Sequence, residues 1–74
     1  MALQTEPDSH VYQLRLDGHL DRRWGSWFGA QSMTHDANGE TIMACRVVDQ
    51  AALHGLLRKV RDIGVPLIAV RRVD

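Results

Sequence analysis

The sequence predicts a small α+β domain whose elements alternate as strand, helix, strand, strand, helix, strand. Two apolar stripes at helical spacing carry that expectation, one at Trp24, Trp27 and Phe28 and one from Ala52 to Ile63. Four stretches of strand composition surround them, and an Asn38-Gly39 pair joins the middle two. At 74 residues the chain makes one domain and no more.

Residues Met1 to Ser9 are polar, include Pro7 and show no period, so they read as a flexible lead-in to a domain spanning residues 10–74. From His10 the pattern changes. Tyr12, Leu14 and Leu16 alternate with Gln13, Arg15 and Asp17, the two-residue period of a strand with one buried face. Gly18 and His19 end it. Asp21 is placed to cap a short helix, and Trp24, Trp27 and Phe28 fall at i, i+3 and i+4, which puts three rings on one face, read as core. Gly29 suits the left-handed position that closes such a helix.

Gln31 to His35 reads as a modest strand, Asp36 to Gly39 as a turn, and Thr41 to Val48 as the returning strand. Asn-Gly is expected to supply the positive φ angles of a tight hairpin. Asp49 can cap the second helix, with Val48 and Leu53 as a hydrophobic staple. Ala52, Leu53, Leu56, Leu57, Val60 and Ile63 form its apolar stripe, while Arg58 and Asp62 are spaced to pair on the far side. Gly64 and Pro66 end the helix, with Val65 placed to fold back on Val60, and Leu67 to Val73 is the last strand. Two split crossovers of this kind make a ferredoxin-like βαββαβ sandwich, a four-stranded antiparallel sheet with both helices on one face. Alternation alone leaves open whether Ile42 and Ala44 or Met43, Cys45 and Val47 point at the helices.

Composition narrows the functional classes. Nine basic and nine acidic residues cancel, so the electrostatic footprint of a nucleic-acid binder is missing. The longest nearly apolar run, Gly64 to Val70, is too short to cross a bilayer, and the N-terminal residues lack the pattern of a signal peptide. One unpaired cysteine points to a reducing compartment, the cytoplasm. It also removes an intrachain disulfide as a source of stability, and the four histidines show no zinc-ligand spacing. A domain this short has a marginal core, so self-association is the expected remedy.

The string Asp49-Gln50-Ala51-Ala52-Leu53-His54-Gly55-Leu56-Leu57, with Arg61-Asp62-Ile63-Gly64 and Pro66-Leu67 after it, is distinctive. With Gly18-His19-Leu20-Asp21 and Trp24-Gly25-Ser26-Trp27-Phe28 it resembles a family of short, uncharacterised bacterial proteins. The resemblance runs from about Tyr12 to Val73 and implies a bacterial source. The chain departs from that family at Cys45-Arg46, where members carry small or glycine-proline residues.

Four residues stand out as ligand-binding candidates: His54, His19, Trp27 and Gln50. His54 lies on the flank of the second helix near Gln50 and Arg61, where it serves as a general base, a ligand contact or simply a surface histidine. His19 and His35 with Asp36 make a zinc set only if their loops converge. Trp27 can line a pocket beside the core. Cys45 reads as a small buried residue rather than a nucleophile, and no catalytic set or cofactor motif can be assigned. Arg15, Arg46, Arg71 and Arg72 suggest a basic patch on the sheet, yet the aromatics that RNA-reading sheets use are lacking. The first functional expectation is a protein-interaction or regulatory module, homo-oligomeric through its open sheet face and open to a protein partner or small-molecule effector. The second is a ligand-binding protein or small enzyme with its site at a subunit interface.

Overall fold

The computed structural model describes residues 9–74, so the expected lead-in lies, but for Ser9, outside the described residues. The element order is β1 (His10–Asp17), α1 (Arg23–Phe28), β2 (Ala30–His35), β3 (Glu40–Val47), α2 (Gln50–Ile63) and β4 (Leu67–Arg72). The strands form one antiparallel sheet in the order β2-β3-β1-β4.

Packing decides the facing of β3. Leu14 and Leu16 of β1 and Met43, Cys45 and Val47 of β3 join Phe28 of α1 and Leu56 and Val60 of α2 in one buried cluster. Both helices therefore contribute to the same core on the same side of the sheet. Ile42 and Ala44 point to the other side, because alternate residues of a strand face opposite ways. They pair across the ladder with Arg15 and Gln13, which share that outward face. The central strands β1 and β3 hold the buried alternation. The edge strands β2 and β4 are mostly exposed, which suits strands packed on one side only.

Several local expectations are corrected. The β2–β3 hairpin is not a two-residue turn with two positive φ angles: only Gly39 takes one (φ 83), and Asn38 does not. Asp36 explains the difference. Its Oδ1 accepts from the backbone N–H groups of Asn38 and Glu40, and its own N–H donates to the Glu40 carbonyl, which closes a longer loop. Helix α1 begins one residue later than expected, with Arg22 at the cap position; Asp21 still accepts from the Arg23 N–H at 3.0 Å. Asp62 binds its neighbour Arg61 rather than Arg58. Val48 stays 58% exposed, so the expected staple onto Leu53 covers little of it.

Other expectations hold. The Asp49 carboxylate accepts from the Ala52 N–H at 2.7 Å and caps α2. Gly29 and Gly64 close the two helices in the left-handed conformation. Among the described residues no helix is long and apolar enough to cross a membrane.

Candidate functional site

The open face of the sheet is read most simply as rows across the strands. At one end Glu40 of β3 stands opposite Asp17 of β1. The next row holds Thr34, Ile42, Arg15 and Ala69, and the one after it Ser32, Ala44, Gln13 and Arg71. At the far end lie Arg46 and Val11, with Val73 tied to Val11 by a backbone bond of 2.9 Å. Ile42, Ala44 and Ala69 give the middle rows their small and apolar side chains, beside Gln13, Arg15 and Arg71, and the end rows carry Asp17 and Glu40 on one side and Arg46 on the other.

Two carboxylates directly opposite each other repel. Arg15 relieves this: its guanidinium donates to Glu40 at 2.6 Å and to Asp36 at 3.3 Å. Its own pKa is raised, chiefly by the Glu40 bond. The Asp36 carboxyl is held below the usual carboxylate range, first by the Glu40 backbone N–H, then by that of Asn38, with Arg15 adding to both. Three carboxylates against one guanidinium leave this end negative. At the other end Arg46 binds the Ser9 hydroxyl at 2.9 Å, and among the described residues neither Arg46 nor Arg71, one row further in, meets a carboxylate. The four-arginine patch expected from the sequence is thus divided. Arg15 is neutralised, and Arg72, which pairs with Tyr12, faces the helix side.

The histidine loops do converge. His19 and His35 stack with ring centroids 4.7 Å apart and planes at 22°. His19 Nε2 lies 3.0 Å from the Asp36 carbonyl and His35 Nε2 lies 2.7 Å from the Leu20 carbonyl. Carbonyls only accept, so both Nε2 atoms carry protons and donate. The ring pair clasps the β1–α1 loop to the β2–β3 hairpin. Beneath it Thr41, 0% exposed, donates to the Gly18 carbonyl at 2.6 Å and accepts from the Leu20 N–H at 2.9 Å. Nothing in the local sequence marks Thr41 for this role, since its partners are 21 and 23 residues away. Among the described residues no three His, Cys, Asp or Glu side chains gather closely enough to hold a metal ion.

The remaining candidates are scattered. Gln50 lines a cleft of about 220 Å³ with His10, Tyr12, Val47, Asp49 and Arg72, at the N-terminus of α2. His54 is exposed on α2 and outside that cleft. The aromatic trio, expected to be core, splits: Phe28 is buried, Trp24 is half-buried and Trp27 is 41% exposed. Trp27 instead packs edge-on against both Trp24 and Phe28. Lys59 of α2 sits 5.3 Å from its ring and donates to its carbonyl at 2.9 Å, a tie between the helices that no spacing rule reveals.

Cys45 is 2% exposed on the groove between α2 and β3, and burial pushes its thiol up to about 11, against a smaller opposing effect of Lys59. It is a packing residue without thiolate chemistry at neutral pH.

No curated protein and no solved structure matches the chain. The family model described as "Domain of unknown function (DUF8691)" matches residues 11–71, from β1 into β4, and the chain belongs to that family.

Proposed function

We propose that this domain is a protein-interaction module that self-associates through the open face of its sheet, in a bacterial cytoplasm. The observation that carries the reading is the make-up of that face. Val11, Ile42 and Ala44 are half-buried, Ala69 and Val73 are exposed, and no element among the described residues covers them. A sheet face that exposes small and apolar side chains among its charges, beside a marginal core, is suited to pressing against a partner sheet. The arrangement also fits a ferredoxin-like sandwich. Each helix links a central strand to an edge strand two places away, as two interleaved β-α-β units require.

The size of the face sets the expected strength. Four strands about 4.8 Å apart and up to eight residues long at about 3.3 Å each span roughly 500 Å² per copy. About 1,000 Å² for a pair lies at the low end for specific association, so micromolar dissociation constants are expected. Sedimentation equilibrium across a concentration series tests this. A growing dimer fraction in the tens of micromolar supports the reading, and a strict monomer to about 100 μM removes it.

A second reading is favoured by the cleft at the N-terminus of α2. Tyr12, Gln50, Asp49 and Arg72 offer both donors and acceptors there, which suits a small polar effector. Thermal shift against amino acids and small carboxylates tests it, with Gln50→Ala as the control.

A further inference from the structure

We infer that the second copy docks in one orientation, about a twofold axis that lies between the two sheets and runs perpendicular to the strands. This rests on the proposed self-association and deepens it by naming the partner surface and its geometry. Two identical faces can meet about a twofold axis in either of two simple ways. The charge layout of the open face distinguishes them.

With the axis parallel to the strands, β3 lies over the partner's β1 and each end of the face meets its own kind. Glu40 would then stand over the partner's Asp17, and Asp17 over the partner's Glu40, since the two are opposite each other in the ladder. Like charges would meet at the carboxylate end and again where Arg46 and Arg71 face the same region of the other copy. With the axis perpendicular to the strands, each strand lies over itself reversed. Ile42 then sits over the partner's Ala44, and Thr34 over the partner's Ser32, because these residues fill the two middle rows. Glu40 meets the partner's Arg46, and the partner's Arg71 lies over Ala69, one strand and one row from Asp17. A Glu40–Arg46 contact thus forms at each end, and Asp17 lies over the partner's Val11 beside the partner's Arg46, while Ile42 and Ala44 close together in the middle. Small residues at Ser32, Ala44 and Ala69 let the sheets approach to the usual separation of about 10 Å.

The Arg15 clamp adds to the argument. It fixes Asp36 and Glu40 in place without cancelling their charge, so the negative end is held in shape before the partner arrives.

The test is a charge-exchange experiment on Asp17 and Arg46, whose side chains are exposed and outside the core. Asp17→Arg and Arg46→Glu are each prepared alone and then mixed, and association is measured by sedimentation at about 50 mM and 500 mM salt. Circular dichroism melting of each variant checks that the fold is kept, and Arg71→Glu is a second basic-end variant. The expected result is that each reversal alone weakens self-association by at least about tenfold, because the twofold symmetry counts every change twice. The mixture associates more tightly than either variant alone, since the arginine at 17 in one copy meets the glutamate at 46 in the other and one Glu40–Arg46 contact is kept. The wild-type association weakens at the higher salt.

If Arg46→Glu instead tightens association, the copies meet with their ends matched and the inferred axis is wrong. If the wild type dimerises but neither the reversals nor salt alter it, the inferred geometry falls while self-association stands. If the wild type is monomeric throughout, self-association itself is refuted.

Discussion

Replacing Thr41 with valine removes one hydroxyl from the clasp under the histidine pair and leaves its shape unchanged. That hydroxyl donates to the Gly18 carbonyl and accepts from the Leu20 N–H, and the residue has no exposed surface. Valine leaves a buried N–H and a buried carbonyl without partners, and each unpaired group costs about 1–3 kcal/mol. Gly18 and Leu20 are only half-buried, so water relieves part of the loss and the lower half of the range applies to each. The expected destabilisation is about 2–4 kcal/mol, or a fall in melting temperature of roughly 10–25 °C for a domain of this size. Thr41→Ser keeps the hydroxyl and deletes one methyl, and it costs about 1 kcal/mol. Urea unfolding at neutral pH, with equal slopes for all three proteins, measures both values. A valine variant within about 0.5 kcal/mol of the wild type would refute the argument. So would a serine variant as unstable as the valine one, since that would place the loss in the methyl.

Other consequences follow from the same structure. Gly55 lies inside α2, and a Cβ there meets nothing within 4 Å, so Gly55→Ala stabilises the domain by about 1 kcal/mol in urea unfolding. Gly39→Ala has equal space but a φ of +83°, and it destabilises by about 1–2 kcal/mol. Cys45, with its thiol pushed up to about 11, reacts with a thiol reagent at mildly alkaline pH only as fast as the domain opens, and fully in denaturant. The Asp36 carboxyl, held below its usual range by the Glu40 N–H first, contributes stability that is present above its unfolded pKa, near 4. That stability is lost as pH falls through the lower folded value. Asp36→Asn keeps the carbonyl oxygen that accepts from Asn38 and Glu40 but not the charge, so acid titration of its stability is flatter below about pH 4.

What could be read without the structure was local. The alternation of Tyr12, Leu14 and Leu16, the stripe from Ala52 to Ile63, the Asp49 cap and the Gly29 and Gly64 closures each depend on neighbours within a turn or two. Such signals survive in one dimension because backbone geometry repeats. The hairpin turn failed in detail for a related reason. Asn38-Gly39 is a common tight-turn pair, but the competing Asp36 carboxylate captured the backbone N–H groups around it. The α1 aromatics failed because spacing assigns a face and not a depth. Only packing against the buried cluster decided that Phe28 goes in and Trp27 stays out.

The candidate site was less legible than the fold. His19 and His35 form a pair only if their loops meet, and they meet; Gln50 reaches the cleft at the start of α2, while His54 and Trp27 lie outside it. On its own, then, the sequence determined the number, type and order of the elements, because each is specified by short-range periodicity and capping. The tertiary structure alone decided which side of β3 is buried, that Thr41 and the two imidazoles form one clasp, and that Asp36 and Glu40 share Arg15 at one end of the open face while Arg46 lies at the other. Those outcomes depend on how the strands and loops are brought together, which joins residues 15 or more positions apart and which no local pattern encodes.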